Sequence, residues 1–153
     1  MESRITPFLW FDDQLEEAVN FYVSVFPNSR IHTIARQGEA GPAFSASFAL
    51  DGREFMALNG GPLFSFTEAV SFFVNCETQE ETDRYWTTLT ANGGKESRCG
   101  WLKDRFGLSW QIIPSALSRY LGDADPEKSQ RVMQVMLQMQ KIDIAALDRA
   151  YAG

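Results

Sequence analysis

One histidine and two cysteines in 153 residues exclude a good deal of chemistry. A transition-metal centre built from protein side chains needs three or four His, Cys or carboxylate groups converging on one point. His32 stands alone, Cys76 and Cys99 are far apart, and no CxxC is present, so a histidine-rich zinc or iron site is ruled out by counting. No DxDxDG-type calcium loop occurs either. A single histidine would have to serve every base role of a nucleophilic triad, and there is no GxSxG elbow. The glycine-rich stretch "NGGP" at 59–62 lacks both GxGxxG spacing and a phosphate-binding lysine, and reads as a flexible loop. No strand–GxGxG–helix opening supports a Rossmann-type cofactor fold.

Positive charge is also scarce. Fourteen Lys and Arg face twenty Asp and Glu, for a net charge of -6, which argues against nucleic acid or an anionic membrane as partner. No apolar run is long enough to span a bilayer, and "MESRITPF" has no signal-type apolar stretch. The expectation is a cytoplasmic protein with two free thiols. With 44% apolar and 22% charged residues, the composition is that of an ordinary globular chain. The length suits a single domain over 1–153.

What is present is a repeat. Residues 4–11, "RITPFLWF", read as a strand, followed by a helix over about 13–26. Asp13 is its candidate cap, Glu16 lies three residues on, and Leu15, Val19, Tyr22 and Phe26 form its apolar stripe. Strands then fall near 29–36, 44–50 and 53–59, the last two joined by the hairpin signal "DG" at 51–52. The order restarts at 69–76, "AVSFFVNC". Thr78 with Glu81 makes a capping box for a helix over 79–91, closed by Gly93 and Gly94. Short strands near 95–102 and 108–114 follow. The letters repeat as well: "QLEEAVNFYVSVF" at 14–26 matches "TQEETDRYWTTLT" at 78–90, and "DGREFMALN" at 51–59 matches "FGLSWQIIP" at 106–114. The unit is a strand, a helix and two or three strands, used twice: about 4–60 and 69–114.

The tail, 115–153, is helical. Asp125 caps, Pro126 takes the first helical position, and Asp143 caps a last short helix. Val132, Met133, Met136, Leu137 and Met139 recur at roughly helical spacing, so the tail reads as a clasp over the sheet or over a partner chain.

Period-2 alternation places Thr6, Phe8 and Trp10 on one sheet face, and likewise Ser71, Phe73 and Asn75. Ser109, Gln111 and Ile113 share a face of the last strand, with Trp110 and Ile112 on the other. Aromatic side chains with a few polar groups suit an organic-ligand pocket, although each aromatic taken singly also reads as core. His32 reads as a surface or half-buried strand residue. Cys99, beside Arg98, is either a small strand residue or a reactive thiol.

The doubled unit resembles the vicinal oxygen chelate superfamily, which includes glyoxalase I, bleomycin-resistance proteins and extradiol dioxygenases. More narrowly, "ITPFLWFDDQLEEAVNFYVSVFPNSRI", "FMALNGGP", "VSFFVNC", "GWLKDRFGLSWQIIP" and "KIDIAALDRAYAG" resemble its PhnB-like branch, whose members are often labelled 3-demethylubiquinone-9 3-methyltransferase. The likeness runs over nearly the whole chain. It implies an α+β fold: two βαβββ modules forming an open, U-shaped mixed sheet with C-terminal helices, as a homodimer. In metal-dependent relatives each module offers one ligand from its first strand and one from its last. The corresponding positions are Thr6 and Ser71, and Met56 and Gln111. His or Glu would be needed at most of them, so the resemblance implies neither a metal nor another cofactor for this chain. A glycine-rich first loop for S-adenosylmethionine is missing as well.

The expected function is therefore metal-independent binding of a small organic ligand. The expected binding residues are Thr6, Phe8, Trp10, Met56, Ser71, Phe73, Asn75, Ser109 and Gln111. Two alternatives stay open. One is an enzyme of the same superfamily, a transferase, lyase or dioxygenase, whose proton-transfer group would come from Lys103, Asp104, Glu54 or Cys99. The other is a dimeric interaction module without a ligand.

Overall fold

The computed structural model describes residues 3–153. They divide into two compact units, one ending at Phe66 and one running Thr67–Gly153. The first holds β1 (Phe8–Phe11), α1 (Leu15–Val25), β2 (Arg30–Arg36), β3 (Ala43–Leu50) and β4 (Arg53–Asn59). The second holds β5 (Ser71–Cys76), α2 (Gln79–Thr90), β6 (Lys95–Glu96), β7 (Trp101–Lys103) and β8 (Ser109–Pro114). Three helices complete it: α3 (Ser115–Leu121), α4 (Pro126–Met136) and α5 (Ile144–Ala152). The sheets run β1-β4-β3-β2 and β5-β8-β7-β6, so each is a βαβββ module with its first strand parallel to its last.

Each sheet buries one face under its own helix. In the first module Leu9, Phe11, Phe48, Phe55 and Ala57 are buried together with Leu15, Ala18, Val19 and Tyr22 of α1, which packs on β3. Phe48 and Phe55 stack across the β3–β4 ladder, 5.5 Å between centroids. In the second module Trp110, Ile112 and Cys76 lie under Tyr85, Trp86 and Leu89 of α2. The opposite faces carry the candidate site residues.

Several expectations hold in detail. Asp51 and Gly52 both adopt positive φ, 50° and 77°, the primed-turn geometry that matches strand twist. Thr78 Oγ1 accepts from Glu81 N at 3.1 Å, Asp125 Oδ1 from Glu127 N at 3.0 Å, and Asp143 Oδ1 from Ala146 N at 3.4 Å. Others need correction. The first strand begins at Phe8 rather than residue 4, because Pro7 brings no N–H to the ladder, although its carbonyl still accepts from Met56 N at 2.9 Å. Thr6 therefore precedes the strand. Asp13 does not cap α1: the cap position is Gln14 without a side-chain bond, and Asn59 at the end of β4 takes the role. Its Oδ1 accepts from Leu15 N at 2.9 Å while its Nδ2 donates to Ala43 O at 3.1 Å. The strand expected over 95–102 is broken into β6 and β7, since Cys99 and Gly100 both turn to positive φ.

The tail packs on its own chain. Leu117, Val132, Ile142 and Leu147 form a buried cluster around Ile113, with Met136, Met139, Tyr120 and Tyr151 against it. The Cys99–Gly100 turn anchors it: Cys99 N donates to Met139 O at 2.9 Å and Gly100 N to Gln140 O at 2.8 Å. Of the apolar stripe over 132–139, Met133 on α4 and Leu137 just after it face outward. Among the described residues no helix is long and apolar enough to cross a membrane.

Candidate functional site

Strand register arranges the helix-free faces in rows. On the first sheet Thr33, Ser47, Met56 and Phe8 stand side by side on β2, β3, β4 and β1. Phe8 is 52% exposed and Met56 43%, an unusual state for two large apolar groups in mid-sheet. Thr33 Oγ1 and Ser47 Oγ are hydrogen-bonded at 2.7 Å. Trp10 stands one row away beside Leu58, but its indole is partly covered by its own loop. Nε1 donates to Gly61 O at 3.0 Å, and Phe64 packs edge-on at 4.9 Å. Gly60 lies against the same ring, where a Cβ would come within 2.3 Å of it. "NGGP" is thus a fitted cover for Trp10 rather than a slack loop.

On the second sheet Trp101, Gln111 and Phe73 form one row across β7, β8 and β5. Phe73 is 56% exposed. Gln111 Nε2 donates to Ser71 Oγ at 3.0 Å, which leaves its carbonyl oxygen for an outside donor. Ser109, in the next row between Lys103 and Ser71, is only 1% exposed, and its hydroxyl has no hydrogen-bond partner among the described residues. Its neighbour Lys103 is paired with Glu68, whose carboxyl that ammonium holds below the usual range. Asn75 is committed at the far end of β5. Its Oδ1 accepts from Ser115 Oγ at 3.2 Å and its Nδ2 donates to Glu77 Oε1 at 3.3 Å. Ile113, which alternation puts on the Gln111 face, is occupied by the tail cluster.

The structure therefore brings Phe8 and Met56 together on one sheet, and Ser71, Phe73 and Gln111 together on the other. It buries Ser109, covers Trp10 and engages Asn75. Sequence reasoning missed Trp101 as a flank of Gln111, because the short β7 and its register were not readable from a three-residue run. It also read His32 as an ordinary strand residue and overlooked its partner, since that partner lies two strands away.

Of the four proton-transfer candidates, Asp104 is consumed by the β7–β8 turn. Its Oδ1 accepts from Phe106 N at 2.9 Å and Leu108 N at 3.1 Å, and its Oδ2 from Trp110 Nε1 at 2.9 Å. Lys103 is held by Glu68, and the Cys99 thiol lies 3.6 Å from Met136 O in the tail anchor. Glu54 stands on the helix-free face of the first sheet, paired with His32 Nε2 at 2.7 Å. The second thiol, Cys76, is buried beneath α2, and burial pushes its pKa up to about 11.

The four positions that the resemblance likens to metal-ligand positions carry two hydroxyls, a thioether and a carboxamide: Thr6, Ser71, Met56 and Gln111. That donor set does not fit a transition-metal ion. Among the described residues no three His, Cys, Asp or Glu side chains gather where they could hold one.

Two parallel-closed βαβββ modules define the vicinal oxygen chelate class of proteins, and comparison with known proteins agrees. The family model for 3-demethylubiquinone-9 3-methyltransferase matches residues 3–113. A PhnB protein from Bacillus cereus is 37% identical, with 73% of this chain and 99% of that one covered and a TM-score of 0.68. Protein PA1353 from Pseudomonas aeruginosa shares the fold at 20% identity, 74% and 98% coverage and TM-score 0.63. FosX from Listeria monocytogenes, a fosfomycin resistance protein solved with Mn(II) and sulfate, shares it at 18% identity, 72% and 90% coverage and TM-score 0.53. Comparison with curated proteins returned no match. The chain belongs to the 3-demethylubiquinone-9 3-methyltransferase family, the PhnB-like branch of that superfamily. The helical tail lies beyond the residues that the family model matches.

Proposed function

We propose that the protein binds a small organic ligand, without a resident metal ion, on the helix-free faces of its two modules, and that it does so as a cytoplasmic homodimer. The observation that carries this reading is the row Trp101–Gln111–Phe73, a carboxamide with a spare acceptor between two aromatic side chains. Aromatic surface supplies affinity that depends little on ligand orientation, while one fixed amide supplies direction. Phe8 and Met56 offer a matching apolar patch on the first module. Ser71 adds a hydroxyl beside Gln111, and Thr6, just before β1, would supply the corresponding hydroxyl of the first module. The replaced donor set supports a site from which the metal chemistry of the superfamily has been lost. The -6 charge of the chain favours a neutral or cationic ligand over an anion.

A screen of small aromatic compounds tests this, read by melting temperature and by the Met56 methyl and Gln111 amide signals in NMR. Ligands that bind the folded state raise the melting temperature. Gln111→Ala is expected to weaken the best hit about tenfold, the value of one well-placed polar contact. Stoichiometric manganese or zinc in the purified protein, or a large melting shift with either ion, would overturn the metal-free reading.

A further inference from the structure

We propose that His32 and Glu54 form a general-base pair on the first module, able to take a proton from a carbon acid seated on Phe8 and Met56. His32 is the extra residue of a β-bulge in β2, where the pairing steps from Ile31–Phe48 to Thr33–Ser47. Bulges redirect a side chain, and this one turns His32 onto the face that carries Glu54. The imidazole reaches across β3 to β4, over the row that holds Ala49, whose methyl leaves room for the bridge.

The polarity of the contact is what matters. An ionised carboxylate only accepts, so Nε2 carries the proton and donates it to Glu54 Oε2 at 2.7 Å. Nδ1 is then the bare, basic nitrogen, and no side chain or carbonyl of the described residues takes it. A carboxylate that fixes the tautomer of an imidazole and steadies the imidazolium is the arrangement of a general base. The imidazole side chain is 27% exposed, partly shielded yet reachable. Arg30 shares this strand and, by register, this face. From β3 only Ser47 and Ala49 face the pair, and neither titrates.

The next row along the strands, roughly 7 Å away by strand rise, is Thr33–Ser47–Met56–Phe8. One hydroxyl proton of Thr33 and Ser47 closes the bond between them, and the other is left to donate outward. That combination suits an apolar ligand with a carbonyl beside an acidic C–H. Nδ1 takes the proton, the C–H electron pair moves into the enolate, and the spare hydroxyl donates to its oxygen. Glu54 then holds the imidazolium until the proton is returned. The seat of the ligand rests on the function proposed above, whereas the base itself does not.

The full chain and 5-nitrobenzisoxazole provide the test. Removal of the C3 proton by a base forms the nitrile as the N–O bond breaks and releases a coloured phenolate. His32→Gln is expected to lower kcat at least tenfold, Glu54→Gln about threefold, and the double variant no further than His32→Gln. A His32→Gln protein that melts normally and keeps its rate within twofold of the parent overturns the proposal. Nitrogen-15 NMR of the sole imidazole supplies a reading independent of turnover: the neutral ring must carry its proton on Nε2, and the opposite tautomer overturns the pair. Met56 methyl shifts with the same compound separate the two readings. Shifts without His32-dependent turnover sink the base alone, and His32-dependent turnover without shifts sinks the seat alone while upholding the base.

Discussion

The two modules share topology and register but use their free faces differently. The first presents charge and hydroxyls, the Glu54–His32 bridge and the Thr33–Ser47 pair, beside Phe8 and Met56. The second presents the Gln111 amide between aromatic side chains, with the Lys103–Glu68 pair in the next row and the tail cluster seated on Ile113 at the other end. The equivalent strand positions Met56 and Gln111 sit at matching register with Phe8 and Phe73. One backbone plan thus carries an imidazole–carboxylate pair and paired hydroxyls in one copy and an amide flanked by aromatic side chains in the other. Stability is distributed unequally too: the last hairpin of the second module is organised by a buried carboxylate, and the first module relies on an amide borrowed from β4 for its helix cap.

The sharpest way to break the second module alone is Asp104→Ala. Three donors, two backbone N–H groups and the Trp110 indole, lose their acceptor in a buried turn. The expected cost is about 4 kcal/mol in denaturant unfolding, with Gln111 displaced along with β8. Gly100→Ala comes next. Its Cβ would meet Ile113 Cδ1 at 2.6 Å and Ile112 O at 3.0 Å, at a φ of 84° that resists any side chain. About 2 kcal/mol is expected, and hydrogen exchange should report faster opening of the tail than of the first sheet. The counterpart in the first module is Asn59→Ala, expected to cost about 1 to 2 kcal/mol through loss of the α1 cap and to leave the tail's exchange unchanged. Equal exchange changes in both modules for either variant would erase the contrast.

The smallest effect is electrostatic. Lys141, and after it Gln79, hydrogen-bond to Asp83 and hold its carboxyl below the usual range. A carboxyl lowered in the fold adds stability above its unfolded pKa of about 3.9, and that stability is lost as pH falls through the lower folded value. The melting difference between the parent and Asp83→Asn should therefore be about 2 °C at pH 7, as befits an exposed pair, and close below about pH 4. A gap that widens with acidity would reverse the sign of this linkage.

Much of the fold was legible because its signals are local. The Asp51–Gly52 turn, the caps at Thr78, Asp125 and Asp143, and Pro126 at a helix start each act within four residues of chain. Alternation along β5 and β8 correctly set Phe73 and Gln111 apart from Trp110 and Ile112, because a strand has no other way to divide its side chains. The misplaced cap shows the limit. Asp13 carries the right chemistry in the right place, yet Asn59, 44 residues on, supplies the bond to Leu15 N. Ser109 shows it again, since alternation predicts the face of a side chain but not what lies on top of it.

Residue types and their spacing by themselves determined the doubled module, the turns, most caps and the scarcity of histidine and cysteine. These are properties of short segments and of counting. Only the tertiary structure decided which of those side chains meet. Register across β7 and β8 set Trp101 beside Gln111, and a one-residue bulge in β2 carried His32 over β3 to Glu54. Packing of the tail gave Ile113 to a core rather than to a ligand face. Pairings between strands depend on where ladders start and slip, and a slip of a single residue exchanges the faces of everything beyond it.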